Sequence, residues 1–219
     1  MSKGRKPTKP QSKMVPSLIE QRRRRTGERE LKQRFLIVCE DDKSAPNYFR
    51  ALRSQFKLSA TSIEVAGSKS RSQPKQVVDR AVARKEEAAK KESGTLPFDQ
   101  VWCVIDGDYG DKIRNARAKA AKHHVKLAIS TPCFEYWILL HFEESAASAV
   151  NCDAVVRLLR KKHQPSYEKG SCDFVDIVKR VDDASIRANR LRQTRLHDLP
   201  ENHNPCSELY KLVNGILAS

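Results

Sequence analysis

The stretch Val101-Trp102-Cys103-Val104-Ile105 is apolar from end to end and stops on Asp106-Gly107-Asp108. Four of these five residues are aliphatic or aromatic and the fifth is Cys, so the run predicts a strand covered on both faces, as in a parallel sheet between layers of helices. A chain with such a strand is directed towards an α/β fold. Its acids then stand at the strand's carboxyl end, the edge where open α/β sheets bind ligands. Two carboxylates one residue apart on a Gly turn can share a hard divalent cation, Mg²⁺ being the expected ion with Mn²⁺ as its substitute.

A second run follows the same rule. Arg34-Phe35-Leu36-Ile37-Val38-Cys39 is β-prone and ends on Glu40-Asp41-Asp42-Lys43. If the two strands are parallel neighbours, Glu40 meets Asp106 and Asp108 at one edge. Ser62 to Gly67 and Val125 to Ser130 read as two further strands, and between the four lie helical patterns at 44–57, 73–91 and 109–124. The alternation predicts a mainly parallel four-stranded sheet flanked by helices and joined by right-handed crossovers. Asp108 and Asp111 also suit ordinary helix-start chemistry, since a helix N-terminus favours a carboxylate.

Pro132 opens a helix through Phe142 that is apolar nearly all round, so it must be buried. Glu135 and His141 are its ionisable exceptions, and a buried ionisable group needs a partner or a shifted pKa. Glu135, near the start of this helix, can face the carboxyl edge beside Asp106 as a further acid; it can equally cap the helix or pair with a lysine. His141 is expected to be hydrogen-bonded at the far end. Helices over 151–163, 173–196 and 207–217 complete the chain, giving three parts: a basic, largely disordered arm (1–33), an α/β core (34–145) and a helical extension packed on it (146–219).

Net charge is +15, and the first 34 residues contribute +9 of it, with 12 Lys/Arg against 3 Glu. Such a balance favours a polyanionic partner, because each neutralised phosphate releases counterions. The candidate contacts are Arg22, Arg23, Arg24 and Arg25 in the arm, Lys69 and Arg71 in a loop after the second strand, and Arg114, Arg187 and Arg190 on helices. The longest apolar block, Phe134 to Phe142, is broken by Glu135 and His141 and is too short to span a bilayer. The basic N-terminus lacks a signal sequence's apolar region, so a cytoplasmic location is expected. The six cysteines lie far apart with no C-x-x-C spacing, which argues against a zinc site and for reduced, core-filling thiols. No Gly-rich phosphate loop is present, so the chain has no ATPase of its own.

A Glu closing the first strand with an Asp-x-Asp closing a later one resembles the Toprim domain of topoisomerases, bacterial primases and OLD-type nucleases. The set Leu36-Ile-Val-Cys-Glu40, Lys43, Asn47-Tyr48-Phe49, Val101 to Asp108, Pro132-Cys-Phe-Glu-Tyr-Trp-Ile-Leu-Leu-His-Phe142 and Asn204-Pro205 more closely resembles the RloB family. These are small Toprim-like proteins of bacterial defence loci, as in the AbiL type of abortive-infection system. The likeness runs from about residue 34 to the C-terminus. It departs where Asp41-Asp42 follow Glu40, since the family usually has Gly there. The resemblance implies a metal-dependent nuclease: Glu40 as general base or ligand, Asp106 and Asp108 holding the metal, Lys43 neutralising the phosphate and Glu135 as a further acid. It also implies a toxic effector that cleaves RNA, tRNA ahead of DNA, controlled by an ABC- or AAA-type ATPase encoded nearby. A homo-oligomer is compatible with the sequence. The rival class is a non-catalytic module with a structural metal site that binds nucleic acid or the ATPase.

Overall fold

The computed structural model describes residues 33–58, 63–66, 72–90, 94, 96–144, 151–194 and 204–219. The elements in chain order are β1 (Phe35–Cys39), α1 (Ser44–Gln55), β2 (Ile63–Ala66), α2 (Pro74–Ala89), β3 (Gln100–Asp106), α3 (Asp111–Lys122) and β4 (Lys126–Thr131). There follow α4 (Phe134–Leu140), α5 (Cys152–Lys162), α6 (Val175–Val178), α7 (Val181–Gln193), β5 (Cys206–Ser207) and α8 (Leu209–Ala218).

Strand order is β2-β1-β3-β4-β5. The first four strands pair in parallel, Leu36 against Val101 and Val104 against Ala128, for example, and β5 closes the edge antiparallel to β4. This is an α/β fold, as the alternation predicts. Successive residues of a strand point to opposite faces. Accordingly, Leu36 and Val38 pack with Val101, Cys103 and Ile105 against α2 and α3, whereas Phe35, Ile37 and Cys39 pack with Trp102 and Val104 on the other side. That second side carries the larger core, built from Tyr48, Phe49 and Leu52 of α1, all of α4 but Glu135, and the apolar stripes of α5, α7 and α8. Trp137 at its centre is fully buried. Burial of one such side chain is worth roughly 1.5–3 kcal/mol, so α4, seven residues all buried, is held by packing rather than by helix propensity.

Two details differ from the sequence expectation. The segment after 204 does more than cover the core, because Cys206 and Ser207 add a fifth strand. A two-residue strand has no periodicity to read. Also, the helix expected over 173–196 is divided into α6 and α7, with residues 195 and 196 outside the described set. The N–H of Arg180 donates to Ile177, a tighter turn that leaves the apolar stripe Phe174, Ile177, Val178, Val181, Ala184 and Ala188 in phase. Hydrophobic spacing therefore could not reveal the break. Thr131-Pro132 and Asn204-Pro205 are cis. Of the expected disordered arm, residues 1–32 lie outside the described residues. Among the described residues, no helix is long and apolar enough to cross a membrane.

Because β1, β3 and β4 are parallel, their carboxyl ends share one edge, where α1, α3 and α4 begin. That edge collects the acids.

Candidate functional site

Glu40 follows β1 directly, and its N–H donates to Val104 of β3 at 3.1 Å, carrying the ladder one residue past the strand. The side chain, 7% exposed, folds over the end of β3. Its Oε2 accepts the N–H of Asp106 at 3.1 Å, and its Oε1 accepts the Tyr109 hydroxyl at 2.5 Å. Asp106 in turn accepts the N–H of Phe134 on Oδ1 at 2.9 Å, which binds it to the first turn of α4. Three elements thus converge on two carboxylates.

Both acids titrate above their usual range. For Glu40 the chief cause is burial, reinforced by the charges of Asp108 and Asp41 and opposed by its bonds from Tyr109 and Asp106. Asp106 is raised further: its carboxyl is enclosed although the residue as a whole is only half-buried, and the charges of Glu40 and Glu135 add to that desolvation. Asp41, half-buried, is also raised, by burial first, and there the N–H of Lys43 opposes the shift while Glu135 adds to it. Glu40, Asp41, Asp106 and Glu135 therefore share one field, and Asp108 contributes from an exposed position.

Gly107 is required by close approach. Its N–H donates to Ser130 at 2.8 Å, and a Cβ there would overlap the Thr131 hydroxyl and lie 2.8 Å from the Thr131 Cα. The hydroxyls of Ser130 and Thr131 are buried without a hydrogen-bond partner, at the strand end paired with Asp106.

Glu135 is 1% exposed in the first turn of α4. Ser44 of α1 and Tyr167 each donate a hydroxyl to its Oε1 at 3.1 Å, and Lys169 pairs with its Oε2 at 3.1 Å. Glu135 is thus paired with a lysine, and its charge also acts on Asp106 and Asp41. Lys43, the residue before α1, is exposed at the rim, and its stem runs past Gly170. The 164–172 segment thus closes one side of the site. Its Tyr167 and Lys169 carry no local pattern, and nothing in the sequence singled them out. Tyr109 stood in view inside the Asp-Gly-Asp-Tyr turn.

The basic candidates scatter. Arg22, Arg23, Arg24, Arg25, Lys69 and Arg71 lie outside the described residues. Arg114 is exposed on α3, 3.3 Å from Asp111. Arg187 donates to the Leu140 carbonyl at 2.7 Å and Arg190 pairs with Glu144 at 2.9 Å, both at the end of α4 away from the acids. His141 is the buried, bonded histidine expected, against Tyr48 at 3.0 Å and the Trp137 carbonyl at 2.9 Å. One expectation is corrected: the six cysteines are not all free thiols, because Cys133 and Cys152 form a disulfide between the starts of α4 and α5. Their 19-residue separation hid a pairing that only the packing of those helix ends creates.

A family model described as RloB-like protein matches residues 35–216. The chain belongs to the RloB-like family. No curated protein and no solved structure matches it. The RloB-like region thus spans every element from β1 to the body of α8, and with it the whole acidic edge.

A small hard cation suits the donors present at that edge. They are oxygens, they are crowded enough to repel one another, and two buried hydroxyls beside them lack partners. Such a cation keeps several waters and needs only one or two carboxylates, for which Glu40 and Asp106 suffice. Among the described residues, however, Glu40, Asp106 and Asp108 do not bring three ligand atoms within 4.8 Å of one another; Cys133, Glu135 and Cys152 do.

Proposed function

We propose that this RloB-like chain is a metal-dependent phosphodiesterase of Toprim type, a nuclease acting as a toxic effector of antiphage defence under the control of a partner ATPase. The observation that supports it best is the pair Glu40 and Asp106 at the carboxyl end of a parallel sheet, two acids raised first by burial and then by neighbouring carboxylates, Asp108 and Asp41 for Glu40, Glu40 and Glu135 for Asp106. Structural ion pairs are normally neutralised; these acids have other acids for neighbours, an arrangement that costs stability and is retained where chemistry needs it.

In this reading Glu40 and Asp106 would hold Mg²⁺ or Mn²⁺, with Asp108 adding its charge from an exposed position. When bound, the ion supplies Lewis-acid polarisation of the phosphodiester and charge for the leaving oxygen. Glu40, raised towards neutrality and oriented by Tyr109, takes up a proton from the attacking water as general base. Lys43, exposed at the rim, balances the charge of the phosphate. Glu135 positions: braced by Ser44, Tyr167 and Lys169, it fixes the start of α4, whose Phe134 N–H orients Asp106.

A net charge of +15 favours a nucleic-acid substrate. RNA, with tRNA foremost, is preferred to DNA by resemblance to other Toprim effectors. The test is cleavage of labelled total tRNA and plasmid DNA by the full chain with Mg²⁺, Mn²⁺ or EDTA, alone and with the neighbouring ATPase, wild type beside Asp106→Ala and Glu40→Gln. Metal-dependent cutting lost in both variants is expected. Binding of nucleic acid without cutting under every condition would instead make the chain a recruiting module.

A further inference from the structure

Beside the acidic edge lies a second group of ligand atoms with different chemistry. Cys133 precedes α4, Glu135 stands two residues later, and Cys152 opens α5; their Sγ, carboxylate oxygen and Sγ all lie within 4.8 Å of one another. The carboxylate is already aimed. Two hydroxyls, from Ser44 and Tyr167, hold Oε1, so Oε2 faces the Cys152 sulfur at 3.4 Å. Bracing of one oxygen while the other is presented is how outer partners orient a ligating carboxylate. A positive charge also sits there: Lys169 Nζ is 3.1 Å from Oε2 and 3.4 Å from the Cys152 sulfur, on a side chain 37% exposed and free to swing outward.

The structure holds the two sulfurs in the oxidised form, with Cα atoms 5.6 Å apart. We infer that the reduced form of this pair, together with Glu135, is a binding site for a thiophilic divalent cation, Zn²⁺ foremost, with a fourth position open to water on the side that Lys169 now fills. Opening the disulfide takes two electrons and two protons from a dithiol reductant, which closes to its own disulfide and leaves Cys133 and Cys152 as thiols. Binding the cation then expels both thiol protons and displaces the Lys169 ammonium. Two Zn–S bonds of about 2.3 Å at a tetrahedral angle set the sulfurs about 3.8 Å apart, which side-chain rotation is to supply from Cα atoms 5.6 Å apart. Two thiolates and one carboxylate leave an open coordination position, as catalytic and exchangeable zinc sites do. Sulfur ligands select against Mg²⁺, so this site and the all-oxygen edge at Glu40 and Asp106 take different ions. Disulfide and metal exclude each other, because the same lone pairs make both.

The experiment uses the full chain, reduced with dithiothreitol, desalted under argon and titrated with Co²⁺ and then Zn²⁺, beside the oxidised protein. Expected are a thiolate-to-cobalt charge-transfer absorption that saturates at a single equivalent in the reduced protein only, its bleaching by Zn²⁺, its loss in Cys152→Ser, an affinity about tenfold or more weaker in Glu135→Gln, and no change in Cys172→Ser. A reduced wild type without the cobalt band, a band that survives in Cys152→Ser, or a disulfide that the dithiol fails to open would each overturn the site. The wild-type spectra decide even where a variant fails to fold, and the readout is independent of nuclease activity.

Discussion

The main-chain N–H of Asp106 donates to the Glu40 carboxylate at 3.1 Å, so the residue that ends β3 helps to hold in place the acid with which it shares a charge field. Burial raises both acids; the charge of Glu40 raises Asp106 further, while the Asp106 N–H holds Glu40 back.

Asp106→Asn is therefore expected to stabilise the fold while abolishing cleavage. A folded-state pKa above the unfolded value of about 3.9 means that the native state favours the protonated acid. The favourable contribution is present below that unfolded value and is lost as pH rises through the folded pKa. At pH 7.5 in EDTA the amide should raise stability, because it removes the charge that burial and the neighbouring Glu40 and Glu135 disfavour. Denaturant melts across pH check it: the gain must shrink towards zero as the solution is acidified below the unfolded pKa.

Glu135 and Lys169 should not contribute equally, although they are paired. Removing the carboxylate in Glu135→Ala strands two buried hydroxyls as well as the ammonium, and is expected to cost about 2–3 kcal/mol. Lys169 is partly solvated, and Lys169→Ala should cost under about 1 kcal/mol. Equal losses in urea melts would show that the Ser44 and Tyr167 bonds contribute nothing.

Gly107→Ala is expected to destabilise by about 2–3 kcal/mol, because the new methyl overlaps Thr131. Trimming the neighbour should not restore the fold: in Gly107→Ala/Thr131→Ala the hydroxyl is gone, but the Thr131 Cα remains 2.8 Å from the added carbon. A double variant as stable as wild type would refute the close approach.

His141 is pushed down to about 4, chiefly by burial, with the charges of Arg187 and Arg180 adding to the effect against its bonds to Trp137 and Ile138. The unfolded imidazole takes its proton near pH 6.5. Between those values the unfolded chain binds the extra proton, so the stability share of this residue is constant above about pH 6.5 and falls as pH drops towards 4, by on the order of 3 kcal/mol. A histidine resonance in NMR titration that moves with a midpoint near 4 checks the assignment. A midpoint near 6.5 would mean that the Tyr48 contact is open to water.

What the sequence determined by itself is the part of the molecule written in local pattern. Uninterrupted apolar runs at 35–39 and 101–105 can only be strands covered on both faces, and the acids that end them must fall at a carboxyl edge, because side-chain polarity sets burial and the parallel pairing sets direction. The all-round apolar Phe134 to Phe142 had to be an interior helix, and Glu135 near its start had to find a partner, which Lys169 supplies. What the tertiary structure decided is everything that depends on partners distant in sequence. Tyr167 and Lys169 reach Glu135 from 32 and 34 residues away, Ser44 from 91 on the other side, and Cys152 meets Cys133 only because α5 starts against α4. Ser44 and Cys152 lie in helical patterns that say nothing of these partners, Tyr167 and Lys169 lie in no pattern at all, and a contact made by two surfaces closing leaves no trace in either stretch alone. Asp108 shows the same limit in reverse: two residues past the half-buried Asp106, it stands in solvent, since the chain leaves the sheet after Gly107.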